Sequence, residues 1–239
     1  MHSSGEGIYR GPVGGEACGA VGWGAGGEVA APRQRRVCVL LTERLCALPW
    51  REVLAAALAG GADCIQVREK EMEGGALADR VREVIALARP AGAAVVVNDR
   101  ADVALACGAD GVHVGQGDLS VADVRRIAGT ALEVGVSTHS LAEARAAVEA
   151  GADSCGVGAM FATALKPGIV PGGTAYLREF LAAFPRVPHL AIGGITPTNV
   201  AELAACGCRG VAVSGVVCGS RDPASVVRAL RAALEGGGA

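Results

Sequence analysis

Gln66, Arg68 and Lys70 stand two residues apart in "CIQVREK". On an extended chain an amide, a guanidinium and an ammonium would therefore point the same way. Cations on a face that ends a buried strand ask for something anionic opposite them. The plainer alternative is a solvated loop just past a strand, with Glu69 partly neutralising its neighbours. Residues of complementary kinds follow. "NDR" gives Asn98 and Asp99, "VHVGQGD" gives Asp118, and "VGVSTHS" gives Ser137. "MFATALKPG" gives Thr163 and Lys166, while Gly193-Gly194 and Ser214-Gly215 present bare backbone. Two carboxylates brought together can share a hard cation, since Mg²⁺ takes one or two carboxylates plus phosphate oxygens and water. Arg68, Lys70 and Lys166 would then neutralise the rest of a diphosphate. The glycine pairs offer N–H groups of the kind that hold a phosphate monoester. Taken singly, Asn98-Asp99 reads equally as a helix cap, Asp118 as a turn residue and Gly193-Gly194 as a tight turn. Their weight depends on whether one fold brings them to one place.

The elements that must do this alternate along the chain. β-branched runs recur at 37–41, 63–67, 94–97, 110–114, 132–136, 153–157, 188–192 and 210–214, each followed by an Ala/Leu/Arg-rich segment of helical spacing. Helix starts are marked by Ser120, by Ser140-x-x-Glu143 as a capping box, and by Thr196-Pro197 and Asp222-Pro223 with Pro at the first helical position. Helix ends repeat as well. "AGGADCIQV", "ACGADGVHV", "EAGADSCGV" and "ACGCRGVAV" are versions of one junction, a Gly that ends a helix in the left-handed region and then a strand. Eight strand–helix units in about 200 residues predict α/β architecture as a single (β/α)₈ barrel over residues 35–236. An open doubly wound sheet would need longer helices and a G-x-G-x-x-G turn after its first strand, which this sequence lacks.

Barrels of this kind build their sites at the C-terminal ends of the strands. Every polar residue named above falls at that end. Cationic and acidic groups at one part of the mouth, with a Gly-rich rim elsewhere on it, point to two phosphorylated small-molecule substrates and Mg²⁺.

The rest of the chain removes other classes. Hydrophobic residues make up 51% of the 239, enough for a substantial core, and the net charge of −2 is spread without a basic patch. That excludes a nucleic-acid or membrane-surface footprint. No apolar run is long enough to span a bilayer, and residues 1–30 hold no signal-peptide core, so a cytoplasmic protein is expected. Residues 1–34 are Gly-rich without any period, which predicts a disordered extension. Most of the nine cysteines stand singly among aliphatic residues, and Cys206-x-Cys208 has no second pair at zinc spacing. A homo-oligomer is left open.

"QVREK", "NDR", "GVHVGQGD", "GVSTHS", "TALKP" and "AIGGIT", in this order, resemble thiamine-phosphate synthases over residues 37 to 235. The resemblance implies a barrel enzyme that joins a hydroxymethylpyrimidine diphosphate to a thiazole phosphate and releases pyrophosphate. Residue by residue it implies pyrimidine and diphosphate contacts at Gln66, Asn98 and Ser137, with diphosphate cations at Arg68, Lys70 and Lys166. It also implies Mg²⁺ ligands at Asp99 and Asp118, and a thiazole-phosphate side at Thr163, Gly193, Gly194, Ser214 and Gly215. No general base is required, because the attacking nitrogen carries no proton. Leu165 stands where the family usually has a second Thr, which removes a hydroxyl from the phosphate pocket. A related thiazole tautomerase resembles the chain less well, since it relies on a histidine near Ala159. A barrel that only senses a thiamine precursor would have no need for both Asp99 and Asp118.

Overall fold

The computed structural model describes residues 33–163, 168 and 170–236. The expected extension lies outside these residues except for its last two positions. Eight parallel strands close into a barrel in chain order: β1 Val37–Leu41, β2 Cys64–Val67, β3 Ala94–Asn98, β4 Gly111–Val114, β5 Glu133–Thr138, β6 Ser154–Gly158, β7 His189–Ile192 and β8 Val211–Val213. Helices α1 Trp50–Ala59, α2 Gly74–Ala88, α3 Ala101–Cys107, α4 Val121–Ala128, α5 Leu141–Glu149, α6 Gly173–Ala183, α7 Val200–Ala204, α8 Gly215–Cys218 and α9 Pro223–Gly236 connect and cover them. No helix among the described residues is long and apolar enough to cross a membrane.

Alternation along each strand separates two cores. Val39, Ile65, Val95, Val97, Val112, Val134 and Val157 turn outward into the layer beneath the helices. Cys38, Leu40, Cys64 and Ala212 form a smaller cluster inside the barrel, with Val96, Leu190 and Ile192 against it. The inner positions nearer the strand ends are Gln66, Asn98, His113 and Ser137, and these border an open cavity instead of apolar neighbours.

The repeated junction explains the register. Gly61, Gly108, Gly151 and Gly207 all have positive φ, from 66° to 95°, which ends each helix as expected. In three of the four junctions the Asp that follows fastens the preceding strand. Asp63 accepts from Val37 N at 3.0 Å, Asp110 from Val95 N at 2.7 Å and Asp153 from Val134 N at 2.7 Å. The fourth has Arg209 in that place, and Gln34 Oε1 takes the His189 N–H instead, at 3.1 Å. Asp153 also holds Arg125 of α4 at 2.6 Å. Asp153→Ala is therefore expected to leave the buried Val134 N–H unpaired at a cost of roughly 1–3 kcal/mol. A calorimetric scan should show Tm falling by about 2–4 °C for each kcal/mol. Activity at low temperature should be unchanged, because the clip sits at the end of the barrel opposite the cavity.

Helix starts agree with expectation in two cases. Ser120 Oγ accepts from Asp123 N at 3.1 Å, and Asp222 Oδ1 accepts from Ser225 N at 3.0 Å ahead of Pro223. Two others differ. Ser140 caps Glu143 N, but the Glu143 carboxylate reaches back to His139 N at 2.8 Å, one residue earlier than a capping box requires. Pro197 does not begin a helix. α7 starts at Val200, because Asn199 Oδ1 takes Thr196 N at 2.8 Å and holds residues 196–199 in a turn.

Candidate active site

A cavity of about 520 Å³ opens at the C-terminal ends of the strands, within the range that holds small ligands. It runs down into the barrel because part of the interior carries no side chains. A Cβ on Gly135 would lie 2.6 Å from His113 Nδ1, and one on Gly156 would lie 3.1 Å from His113 Cε1. These glycines let an imidazole lie flat inside the barrel, with Nε2 2.9 Å from Ser137 Oγ.

Most of the expected residues meet here. Gln66, Arg68, Asn98, Ser137, Thr163, Gly193, Gly194, Ser214 and Gly215 all line the cavity. Gln66 is 5% exposed, and its Oε1 has no hydrogen-bond partner among the described residues. A buried acceptor left so costs roughly 1–3 kcal/mol, which a ligand N–H would recover. Arg68 has no carboxylate partner among the described residues, although its own N–H continues the barrel ladder to Leu41 O at 2.9 Å. Gly193 and Gly194 have φ of 105° and 62°, and Asn199 Nδ2 holds Gly194 O at 3.0 Å. Ser214 Oγ donates to Leu40 O at 2.9 Å, which ties the start of α8 to β1.

Lys70 does not share the face of Gln66 and Arg68. β2 ends at Val67, so the alternation stops there, and Lys70 Nζ turns instead to Asp99 Oδ2 at 3.2 Å. Asp99 is the one non-glycine residue at positive φ among the described residues, 63°, with its N–H held by His113 O at 2.8 Å. This backbone sends its carboxylate toward Asp118, whose Oδ2 accepts from Gly115 N at 2.8 Å. Burial pushes the Asp99 carboxyl up from its ordinary value, Lys70 pulls it back and the neighbouring Asp118 raises it again. The pair suits a divalent cation better than it suits itself. Two carboxylates from adjacent loops could supply part of the shell of a hard divalent cation, the rest coming from phosphate and water. No cluster of three His, Cys, Asp or Glu ligands exists among the described residues, so a cation would need ligands from elsewhere. Lys166 and Leu165 lie outside the described residues.

A family model described as thiamine monophosphate synthase matches residues 37–217. The chain belongs to the thiamine monophosphate synthase family. It is 49% identical over 181 residues to the thiamine-phosphate synthase of Methanoregula boonei, covering 75% of this chain and 83% of that one. It is 46% identical over 183 residues to that of Anaeromyxobacter dehalogenans, covering 76% and 82%. Among solved structures, thiamine phosphate pyrophosphorylase from Pyrococcus furiosus superposes with a TM-score of 0.78 at 33% identity, covering 85% of this chain and 97% of that one. A 3-hexulose-6-phosphate synthase at 22% identity and TM-score 0.60 shares the fold alone.

In this member of the thiamine monophosphate synthase family, several cavity residues carry no signal in the sequence, among them His113, His139 and Arg44. His113 pairs with Asn98 on one side and Gly135 on the other, a register that the closed barrel reveals. Arg44 lies in a short 3-10 turn, Glu43–Leu45, that carries no pattern of its own. Ala159 also lines the cavity and brings only a methyl group.

Proposed function

We propose that this chain condenses 4-amino-2-methyl-5-hydroxymethylpyrimidine diphosphate with thiazole phosphate to give thiamine phosphate and pyrophosphate. The observation that carries this reading is a cavity with two unlike sides. Arg68 lines the cavity, the Lys70–Asp99–Asp118 group stands in the loops that follow β2, β3 and β4 at the same end of the barrel, the glycine rim follows β7 and β8, and Gln66 Oε1 has no hydrogen-bond partner among the described residues. Gln66 Oε1 accepts from the amino group of the pyrimidine. Asn98 and Ser137 complete that subsite, and His113 holds the Ser137 hydroxyl in place. Arg68, Lys70 and Lys166 take the diphosphate charge. Thr163 and the backbone of Gly193, Gly194, Ser214 and Gly215 take the thiazole phosphate.

Asp99 and Asp118 would hold Mg²⁺, which supplies charge neutralisation for the departing diphosphate. The C–O bond at the pyrimidine methylene breaks with its electron pair going to the diphosphate oxygen. The cation left behind is spread over the electron-rich aminopyrimidine. The thiazole nitrogen then gives its lone pair to the methylene carbon. No proton moves, so the task of the residues is to orient both rings, exclude water and stabilise the leaving charge. The eight described cysteines are free thiols, in keeping with a reducing, cytoplasmic setting.

Pyrophosphate release measured with both substrates, and with each omitted, tests the reading. Release should require both. If thiazole phosphate is instead isomerised and no pyrophosphate appears, the assignment fails. Gln66→Leu offers a second check. Removing an unpaired buried acceptor should leave Tm unchanged or raise it, while the KM for the pyrimidine diphosphate rises about tenfold or more. A fall in Tm without a change in KM would mean that Gln66 serves the core.

A further inference from the structure

We propose that Glu69, gripped by Arg80 and by the backbone of Glu43, is a positioning residue that keeps Arg68 and Lys70 aimed at the diphosphate. The proposal rests on the placement of the diphosphate given above. Glu69 sits between two cations in sequence, yet it pairs with neither. Its side chain is 11% exposed, whereas that of Lys70 is 54% exposed. Oε1 accepts from Glu43 N at 2.7 Å and stands 3.5 Å from Arg80 Nη1. The other end of the same guanidinium donates to Glu43 Oε2 at 2.7 Å.

Arg80 is itself fixed. It rises from α2, is 12% exposed, and its guanidinium carbon lies 4.1 Å from the centroid of the buried Trp50 ring. Arg51 approaches the same ring at 4.5 Å and pairs through two hydrogen bonds with Glu83 of α2. Helix α2 and the turn after β1 therefore meet on one carboxylate, with α1 backing Arg80 through the Trp50 ring. The loop needs that anchor. Of residues 68–72 only the N–H groups of Arg68 and Met72 donate to backbone among the described residues, the second at 3.5 Å. The 3-10 turn held by the same clamp carries Arg44, a further cation on the cavity wall.

Two effects follow from the grip. The backbone between Arg68 and Lys70 is pinned, and small displacements of binding groups are costly. A carboxylate that would otherwise lie within reach of both cations is drawn away, so it does not compete with the diphosphate for them. Burial pushes the Glu69 carboxyl up from its ordinary value, and the Glu43 N–H and Arg80 act against that.

The test uses Glu69→Ala, Glu69→Gln and Arg80→Met in the full chain. Initial rates are measured against each substrate, with calorimetric binding of inorganic pyrophosphate in Mg²⁺. Glu69→Ala and Arg80→Met should raise the KM for the pyrimidine diphosphate about tenfold and weaken pyrophosphate by a similar factor. The KM for thiazole phosphate should stay within about twofold. Glu69→Gln keeps an acceptor for Glu43 N–H and should recover to within about threefold of the wild type. If both Michaelis constants move together with a fall in Tm, or if neither moves, Glu69 is not a positioning residue. Arg68→Ala separates the two layers of the proposal. Undiminished pyrophosphate binding there overturns the diphosphate placement and this proposal with it. Weakened binding there, with Glu69→Ala behaving as wild type, overturns only the clamp.

Discussion

Asp99→Asn and Asp118→Asn should each lower kcat by at least ~10²-fold, the scale of losing a main electrostatic stabiliser of a developing charge. Asn is the informative substitution. It keeps the size of the side chain, and at Asp99 it tolerates the left-handed backbone that φ of 63° imposes. The charge alone is removed. Lys70, which faces Asp99 at 3.2 Å, would then lose the partner that holds it, and the cation that Asp99 and Asp118 would share would lose half its protein ligands. Tm should change little, because both side chains stand at the mouth, outside the two apolar cores. The measurement is kcat across a Mg²⁺ titration. Near-normal turnover at every concentration in either variant would exclude a metal site built on this pair.

Gly194→Ala should be nearly as damaging on the opposite side of the cavity. At φ of 62° any Cβ is strained, and here it would also lie 2.5 Å from Ala162 O and 2.8 Å from Phe161 Cβ. The Ala162 oxygen belongs to backbone, so the rim must shift as a whole. Displacement on the order of 1 Å can cost about 10²-fold, and kcat/KM for thiazole phosphate should fall by about that factor. Pyrophosphate binding should be retained, since its cations lie on another wall. Loss of both would mean that the substitution disrupts the mouth in general and that Gly194 has no special place in the phosphate subsite.

The strands were legible to within two residues, and four of them, β2, β4, β6 and β8, are opened by the same junction. The glycine that ends the helix and the polar residue that opens the strand are both local signals. Helix starts were legible where one side chain decides, as at Ser120 and Asp222. They failed where two do. At Thr196-Pro197 the Asn199 amide takes Thr196 N with its oxygen and gives to Gly194 O with its nitrogen, a tertiary commitment that Pro preference cannot foresee. In the site, Gln66, Asn98 and Ser137 were readable as inward positions near strand ends. Lys70 was not, because alternation holds only while the strand lasts. His113 was missed for another reason. A lone histidine has no spacing to reveal it, and only the barrel shows that Gly135 and Gly156 leave room for its ring.

The aspartates of the repeated junction have a consequence for ancestry and for protein engineering. Asp63 fastens β1 from the start of β2, Asp110 fastens β3 from β4, and Asp153 fastens β5 from β6. Each of these backbone clips joins two strands of one pair. A genetic cut or copy made between pairs thus leaves every clip with both of its halves on one fragment. The clips repeat with the period of a quarter barrel. Only the last, with Arg209 and the borrowed Gln34, is specialised to close the ring.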